Sequence, residues 1–200
     1  GSLTVYFMLV YIETYFNEYL DELNNLNEIA QILMISSESG KLKTDNTDKD
    51  IYIIVPEDIG EIDSFINFVN RTTKEKLMLN DNGIILTEKA AKQAKVKVGE
   101  EVKIKVNNKE YSMLVSGITE NYTLNYAYMS PKYYKEVFDK DVMYNSIIAN
   151  TEDIQNKDDF SMSIMEKEII NGVSFNDNVR ENFDNMIKSL NYVIIVIIVS

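Results

Sequence analysis

Residues 82–118 read NGIILTEKAAKQAKVKVGEEVKIKVNNKEYSMLVSGI, and the fold class turns on how that stretch is divided. Asn82-Gly83 is a tight-turn signal between two apolar runs. The next segment, TEKAAKQAK, predicts a short helix with Thr87 placed as its N-cap. After Gly99, Val102, Ile104 and Val106 alternate with charged residues, Asn107-Asn108 marks a turn, and Tyr111, Met113 and Val115 alternate again. A period of two on both sides of a turn predicts an antiparallel hairpin with one packed and one wet face. Residues 74–128 are therefore expected to form a β-rich unit.

Working outward, LTVYFMLV (residues 3–10) reads as a buried strand, because β-branched and aromatic residues dominate it. Ile12, Tyr15, Phe16, Tyr19, Leu20 and Leu23 then recur at helical spacing. EIAQILMISSES (28–39) and IYIIV (51–55) predict two more strands, joined by the polar turn GKLKTDNTDKD. Pro56 opens a segment in which Ile59, Ile62, Phe65, Ile66 and Val69 predict a helix. Downstream, Ser130-Pro131 starts a helix with Tyr134, Val137 and Phe138 facing inward. NSIIAN predicts a strand, DIQNKDDFSMSIMEKEII a helix, and GVSF a short strand. From Asn176, apolar residues at Val179, Phe183, Met186, Ile187, Leu190, Val193 and Ile194 step by three and four. That register predicts one helix running into the apolar tail Tyr192–Val199. The tail is too short to cross a bilayer, which takes about 20 residues, so it is expected to be the start of a truncated membrane span, the alternative being a buried terminal helix in a larger core.

Composition restricts the chemistry. The 200 residues carry a formal net charge of −12, 45% hydrophobic residues, no cysteine and no histidine. A folded protein of this charge is a poor partner for nucleic acid or anionic lipid; the local excess between Asp81 and Glu110, seven lysines against five acids, is small. Without histidine or cysteine there is no Ser-His or Cys-His pair and no ordinary zinc ligand set. Phosphate loops, dinucleotide fingerprints and nucleophile elbows are absent from the sequence, and Gly40-Lys41 is followed by Leu42 rather than Ser or Thr. Asp45, Asp48 and Asp50 offer oxygens to a hard cation but lack the loop glycine and distal Glu of a calcium loop, which favours a solvated hairpin tip. The acids of DIQNKDD (153–159) suit a helix start. The thirteen tyrosines and nine methionines stand mostly at core spacing rather than along a groove. No catalytic, cofactor-binding or metal-binding residues are expected, and no cofactor.

DNGIILTEKAAKQAKVKVGEEVKIKV (81–106) resembles the strand-to-helix passage and "VKVGD" turn of the extracytoplasmic domain of FtsX-like (MacB-type) ABC transporter permeases. VSGITENY, YMSPKYYKEVF and YNSIIAN resemble the blocks that follow, and NFDNMIKSLNYVIIVIIVS resembles the helix that becomes a membrane span. The likeness is specific over 77–200, looser over 51–76, and rests on element order alone over 3–50. Residues 121–131, NYTLNYAYMSP, depart from it, since family members often carry Gly or His before the aromatic pair.

The resemblance implies an α+β fold of two lobes from a Gram-positive-type bacterium. A split βαβ, ferredoxin-like α/β lobe (3–73 and 129–180) would carry an inserted β-rich lobe (74–128), followed by a stalk helix and the start of a truncated transmembrane segment (177–200). It further implies a non-catalytic extracellular domain that couples the motion of membrane helices to substrate or partner handling outside the cell membrane. The tasks in view are export of a peptide, antibiotic or lipoprotein, or resistance to antimicrobial peptides. The implied partners are a cytoplasmic ABC ATPase subunit, a second permease copy or half, a peptide or lipoprotein substrate, and the membrane through the helix after Leu190; nucleic acid is not among them. The alternative is the ligand-binding sensor domain of a membrane receptor; a carboxylate-only glycoside hydrolase ranks below it.

Overall fold

The computed structural model describes residues 17–121, 124–151, 155–166, 170–176 and 192–198. The fold is mixed α+β and divides into two compact units, one of residues 33–146 and one of the described residues on either side of them. The expected first strand, residues 3–10, lies outside the described residues.

The 33–146 unit is built on a ring of six strands: β1 (Ile29–Leu42), β2 (Lys49–Pro56), β3 (Ile84–Thr87), β4 (Glu101–Val106), β5 (Lys109–Thr119) and β6 (Tyr126–Tyr128). Their order is β2-β6-β3-β5-β4-β1, and β1 pairs back with β2, so the sheet closes on itself and leaves no free edge among these strands. Antiparallel pairs join β1 to β2, β5 to β4, β4 to β1 and β6 to β3, whereas β2–β6 and β3–β5 run parallel.

Alternation fills the ring. Ile51, Ile53 and Val55 of β2, Ile84 and Leu86 of β3, Val102, Ile104 and Val106 of β4, Met113 and Val115 of β5, and Ala127 of β6 meet in one buried cluster. Each of the Val, Ile, Leu and Met side chains among them contributes roughly 1.5–3 kcal/mol by leaving water. The expected hairpin is β4–β5, and Asn107 and Asn108 sit at φ 48° and 65°, the paired left-handed conformation that matches the twist of the flanking strands. Closure between β4 and β1 is narrow, only Lys41 and Leu42 opposing Lys105 and Ile104. Gly40 permits it: a Cβ there would stand 3.0 Å from the Lys105 carbonyl oxygen and 3.1 Å from Ile104 Cγ2.

Two helices attach to the ring, α2 (Glu88–Ala94) and α3 (Pro131–Phe138). Ser130 caps α3 as expected, its Oγ accepting the Tyr133 N–H at 3.0 Å, with Pro131 in the first turn. Tyr133, Tyr134 and Phe138 then join the interior cluster.

The structure corrects three expectations. The helix expected after Pro56 is a single 3₁₀ turn at Ile62–Ser64. An Asx turn, with the Gly60 N–H donating to Asp58 Oδ1, precedes it, and the Val69 N–H beyond it donates to Thr119 Oγ1 rather than to the chain four residues back. Ile62, Phe65 and Phe68 are buried all the same, but over the outside of the ring, where the rings of Phe68 and Tyr128 meet edge-on at 4.8 Å.

The β-rich part is also larger than 74–128. β1 and β2, placed by sequence in the α/β lobe, supply two of its six strands, and α3 plugs it. The change of texture at Lys74 marks the covering segment and not a boundary.

In the second unit α1 (residues 17–24), α4 (Lys157–Met165), β7 (Ser146–Thr151), β8 (Ile170–Asn176) and β9 (Tyr192–Ile198) combine with the start of β1. Tyr19 and Leu23 of α1 pack with Phe160 and Ile164 of α4 against Ile29, Ile147 and Ala149. Asn156 caps α4, accepting the N–H groups of Asp158 and Asp159.

The third correction concerns the tail. Residues 192–198, expected as helix and membrane entry, form a strand paired antiparallel with β8, with Val173 opposite Val196 and Phe175 opposite Ile194. Every residue from Val193 to Ile198 is β-branched, a composition that favours the pleated backbone once a partner strand is at hand. The stalk proper, 177–191, lies outside the described residues, and among the described residues no helix is long and apolar enough to cross a membrane.

Candidate partner-binding groove

The passage from β3 to α2 is built for position. Thr87 has N-cap backbone angles, yet its hydroxyl does not cap: Oγ1 donates to the Leu124 carbonyl at 3.1 Å and accepts the Tyr126 N–H at 3.1 Å, sewing β3 to β6. Ala90 and Ala91 face the interior, and small side chains let the helix lie close to the strands. α2 ends at Lys95, which takes the left-handed conformation (φ 57°) more often given to Gly, with the Val96 N–H donating back to Ala91 O at 3.1 Å. Gly99 (φ 90°) makes the turn into β4, where its N–H donates to the Val115 carbonyl and the Lys97 N–H donates to Glu100 Oε2 at 2.8 Å.

Between α2, the 95–98 turn and the 70–72 turn lies an open groove of about 450 Å³. Ala91, Val96, Val98 and Ile118 give it apolar surface. Asn70 holds one wall, its Oδ1 accepting the N–H groups of Thr72 and Thr73 at 2.9 and 3.0 Å. The charged lining is Arg71, Lys92, Lys95 and Lys97 against Glu88. Glu88 Oε1 stands 2.9 Å from Lys92 Nζ and 3.5 Å from Arg71 Nη1. Lys95 reaches out of the groove to Asp45 Oδ2 at 2.6 Å, and that hydrogen bond and charge raise the amine above its ordinary range.

The acidic residues singled out by sequence are not gathered at one point. Asp45 pairs with Lys95, Asp48 with Lys43 at 3.2 Å, and Asp50 with Lys41, the arrangement of a solvated hairpin tip. Among the described residues no three Asp or Glu side chains are grouped to hold a metal ion. Asp158 and Asp159 occupy the first turn of α4, and Asp153 lies outside the described residues. Among the described residues tyrosine and methionine do not line the groove: Tyr128, Tyr133, Tyr134, Met113 and Met129 are buried, and Met78 and Met143 are exposed elsewhere. Sequence reasoning missed the groove itself. Its one signal was the lysine excess over 81–110, and Arg71 joins those lysines only through the fold.

No family model matches the sequence, and no curated protein matches it. Among solved structures, the chain is similar to the extracellular domain of the noncanonical ABC-type transporter YknZ from Gram-positive bacteria, with 17% identity, TM-score 0.45, and coverage of 74% of this chain and 76% of that one. It is similar also to the periplasmic region of MacB from Actinobacillus actinomycetemcomitans, with 16% identity, TM-score 0.42, and coverage of 74% and 70%.

Proposed function

We propose that this chain is the extracytoplasmic domain of an ABC transporter permease, working as a mechanical and binding part without chemistry of its own. The observation that carries the reading is the motif run 81–106, in which five residues answer a structural need. Gly83 passes under Leu114, Thr87 sews β3 to β6, Ala90 and Ala91 seat α2, and Gly99 turns at φ 90° into the hairpin. That run lies within residues 77–200, where the resemblance to the permease family is specific. The ring interior is filled with apolar side chains, which suits a rigid body that relays motion. In the longer protein, such a domain would be joined to membrane helices driven by a separate cytoplasmic ATPase, with a second permease copy or half completing the transporter. The handled substrate would be a peptide, an antibiotic or a lipoprotein.

The test is the native gene. A reading frame that continues into several apolar spans of about 20 residues, beside a gene with a phosphate-binding loop, supports the permease. A single span leading into a signalling kinase would identify a receptor sensor domain instead.

A further inference from the structure

We propose that the α2 groove docks a short acidic segment of a partner protein, its carboxylates meeting Arg71, Lys95 and Lys97 and one apolar side chain seated against Ala91, Val96 and Ile118. The inference goes beyond the permease reading and does not depend on it.

Charge complementarity is the first support. On a chain of net charge −12, the described lining of this groove gathers four cations against one acid, Glu88, with Asp45 at Lys95 and Glu100 at the Lys97 backbone just outside it. Over one Debye length, about 8 Å at physiological salt, a ligand in the groove meets the local positive rim and not the acidic whole. A short acidic peptide satisfies that condition. A long polyanion does not, since its remaining charges would lie against the acidic remainder, and among the described residues the lining holds no aromatic ring on which a base could stack.

The second support is that Lys95 can change partners. Its ion pair with Asp45 is solvent-exposed on both sides, 73% and 69%, and such pairs hold weakly. An incoming carboxylate can replace Asp45 without leaving a buried charge behind. The backbone beneath Lys95 is fixed by the Val96-to-Ala91 hydrogen bond, so the exchange moves a side chain only. A volume of about 450 Å³ with apolar surface and a few charged groups is within the range of ligand sites.

The experiment uses the whole 200-residue chain and a fluorescein-labelled peptide of alternating Glu and Leu, followed by fluorescence anisotropy. Saturable binding is expected, weakened about tenfold when Lys95→Glu and Lys97→Glu are combined, and weakened by salt. Lys95→Gln with Lys97→Gln keeps side-chain size and should lose part of the affinity with an unchanged melting curve. Asp45→Asn, which frees Lys95, should tighten binding. The proposal is overturned by equal binding of a Gln/Leu peptide, by equal binding to the charge-reversed variant, or by stronger binding of a single-stranded oligonucleotide or of anionic vesicles.

Discussion

Tyr134 of α3 donates its hydroxyl to Oε2 of Glu38 on β1 at 2.8 Å, joining positions 96 residues apart. Lys140 completes the group, with Nζ 3.1 Å from Glu38 Oε1 and 5.5 Å from the ring centres of both Tyr134 and Phe138. Burial is the main cause that raises the Tyr134 phenol above its ordinary range, and the hydrogen bond with Tyr134 that of the Lys140 amine. The contact latches the helical plug to a strand of the ring. Tyr134→Phe keeps the packed ring and removes only the hydroxyl. It should cost about 1–2 kcal/mol, lowering the melting temperature by about 2–8 °C at this chain length. An unchanged melting point would mean that the latch contributes nothing.

Two glycines separate crowding from conformation. At Gly83 a Cβ would lie 2.6 Å from the Leu114 carbonyl oxygen and 3.0 Å from Ser116 Cβ, so Gly83→Ala must push β3 off β5. A loss of about 2–3 kcal/mol is expected. At Gly99 no atom stands within 4 Å, and only φ 90° resists a side chain. Gly99→Ala should cost about 1 kcal/mol. Equal losses in urea denaturation would contradict the assignment of different causes.

How much of this was legible in the sequence follows from where each signal resides. The β4–β5 hairpin and the Ser130-Pro131 helix start are local, since their turn and cap residues lie within a few positions of what they order. Ring closure is not local. The parallel pairing of Tyr52 with Tyr126 joins segments that carry no mark of each other, and the β1–β4 seam depends on two residue pairs and one glycine. Periodicity misled twice for one reason. Ile62, Phe65 and Phe68 are apolar because they cover the ring, and 192–198 is a strand; an apolar run by itself does not distinguish helix, strand and covering segment. The groove was legible only as surplus lysine, because Arg71 and Ile118 reach it through tertiary packing.

Calcium should leave the protein unmoved. Asp45, Asp48 and Asp50 each face a different lysine, and exposed pairs of this kind hold weakly. Millimolar calcium chloride is expected to shift the melting temperature by less than about 1 °C. A rise of several degrees that Asp48→Asn abolishes would establish a cation site at the tip.

Alkali should unfold the protein through its buried phenols. Burial raises Tyr128 strongly, with the neighbouring Tyr126 adding to it, and Tyr126 is itself raised by burial. A phenol raised in the fold binds its proton more tightly there than in the unfolded chain. Its stabilising contribution is therefore complete below the ordinary value of about 10 and is lost as pH rises through the folded value. Urea midpoints should hold steady up to about pH 9.5 and fall above it, each such tyrosine adding up to about 1.4 kcal/mol per pH unit. Tyr128→Phe should make the fall shallower. A midpoint flat to about pH 11.5 would refute the burial assigned to these rings.

The β8–β9 pairing can be tested through its register. Val173 and Val196 are directly opposed, and opposed antiparallel positions lie about 4.5–5.5 Å apart at Cα, within reach of a disulfide. The chain has no cysteine of its own, so an introduced pair has no competitor. Val173→Cys with Val196→Cys should close under mild oxidation and resist denaturant. Val173→Cys with Ile195→Cys should stay reduced, because neighbouring positions on a strand face opposite sides. A continuous helix through 192–198 would bring neither pair together. Failure of the first pair, or equal closure of both, would remove β9 from the sheet and return the apolar run to the role of a membrane-directed helix.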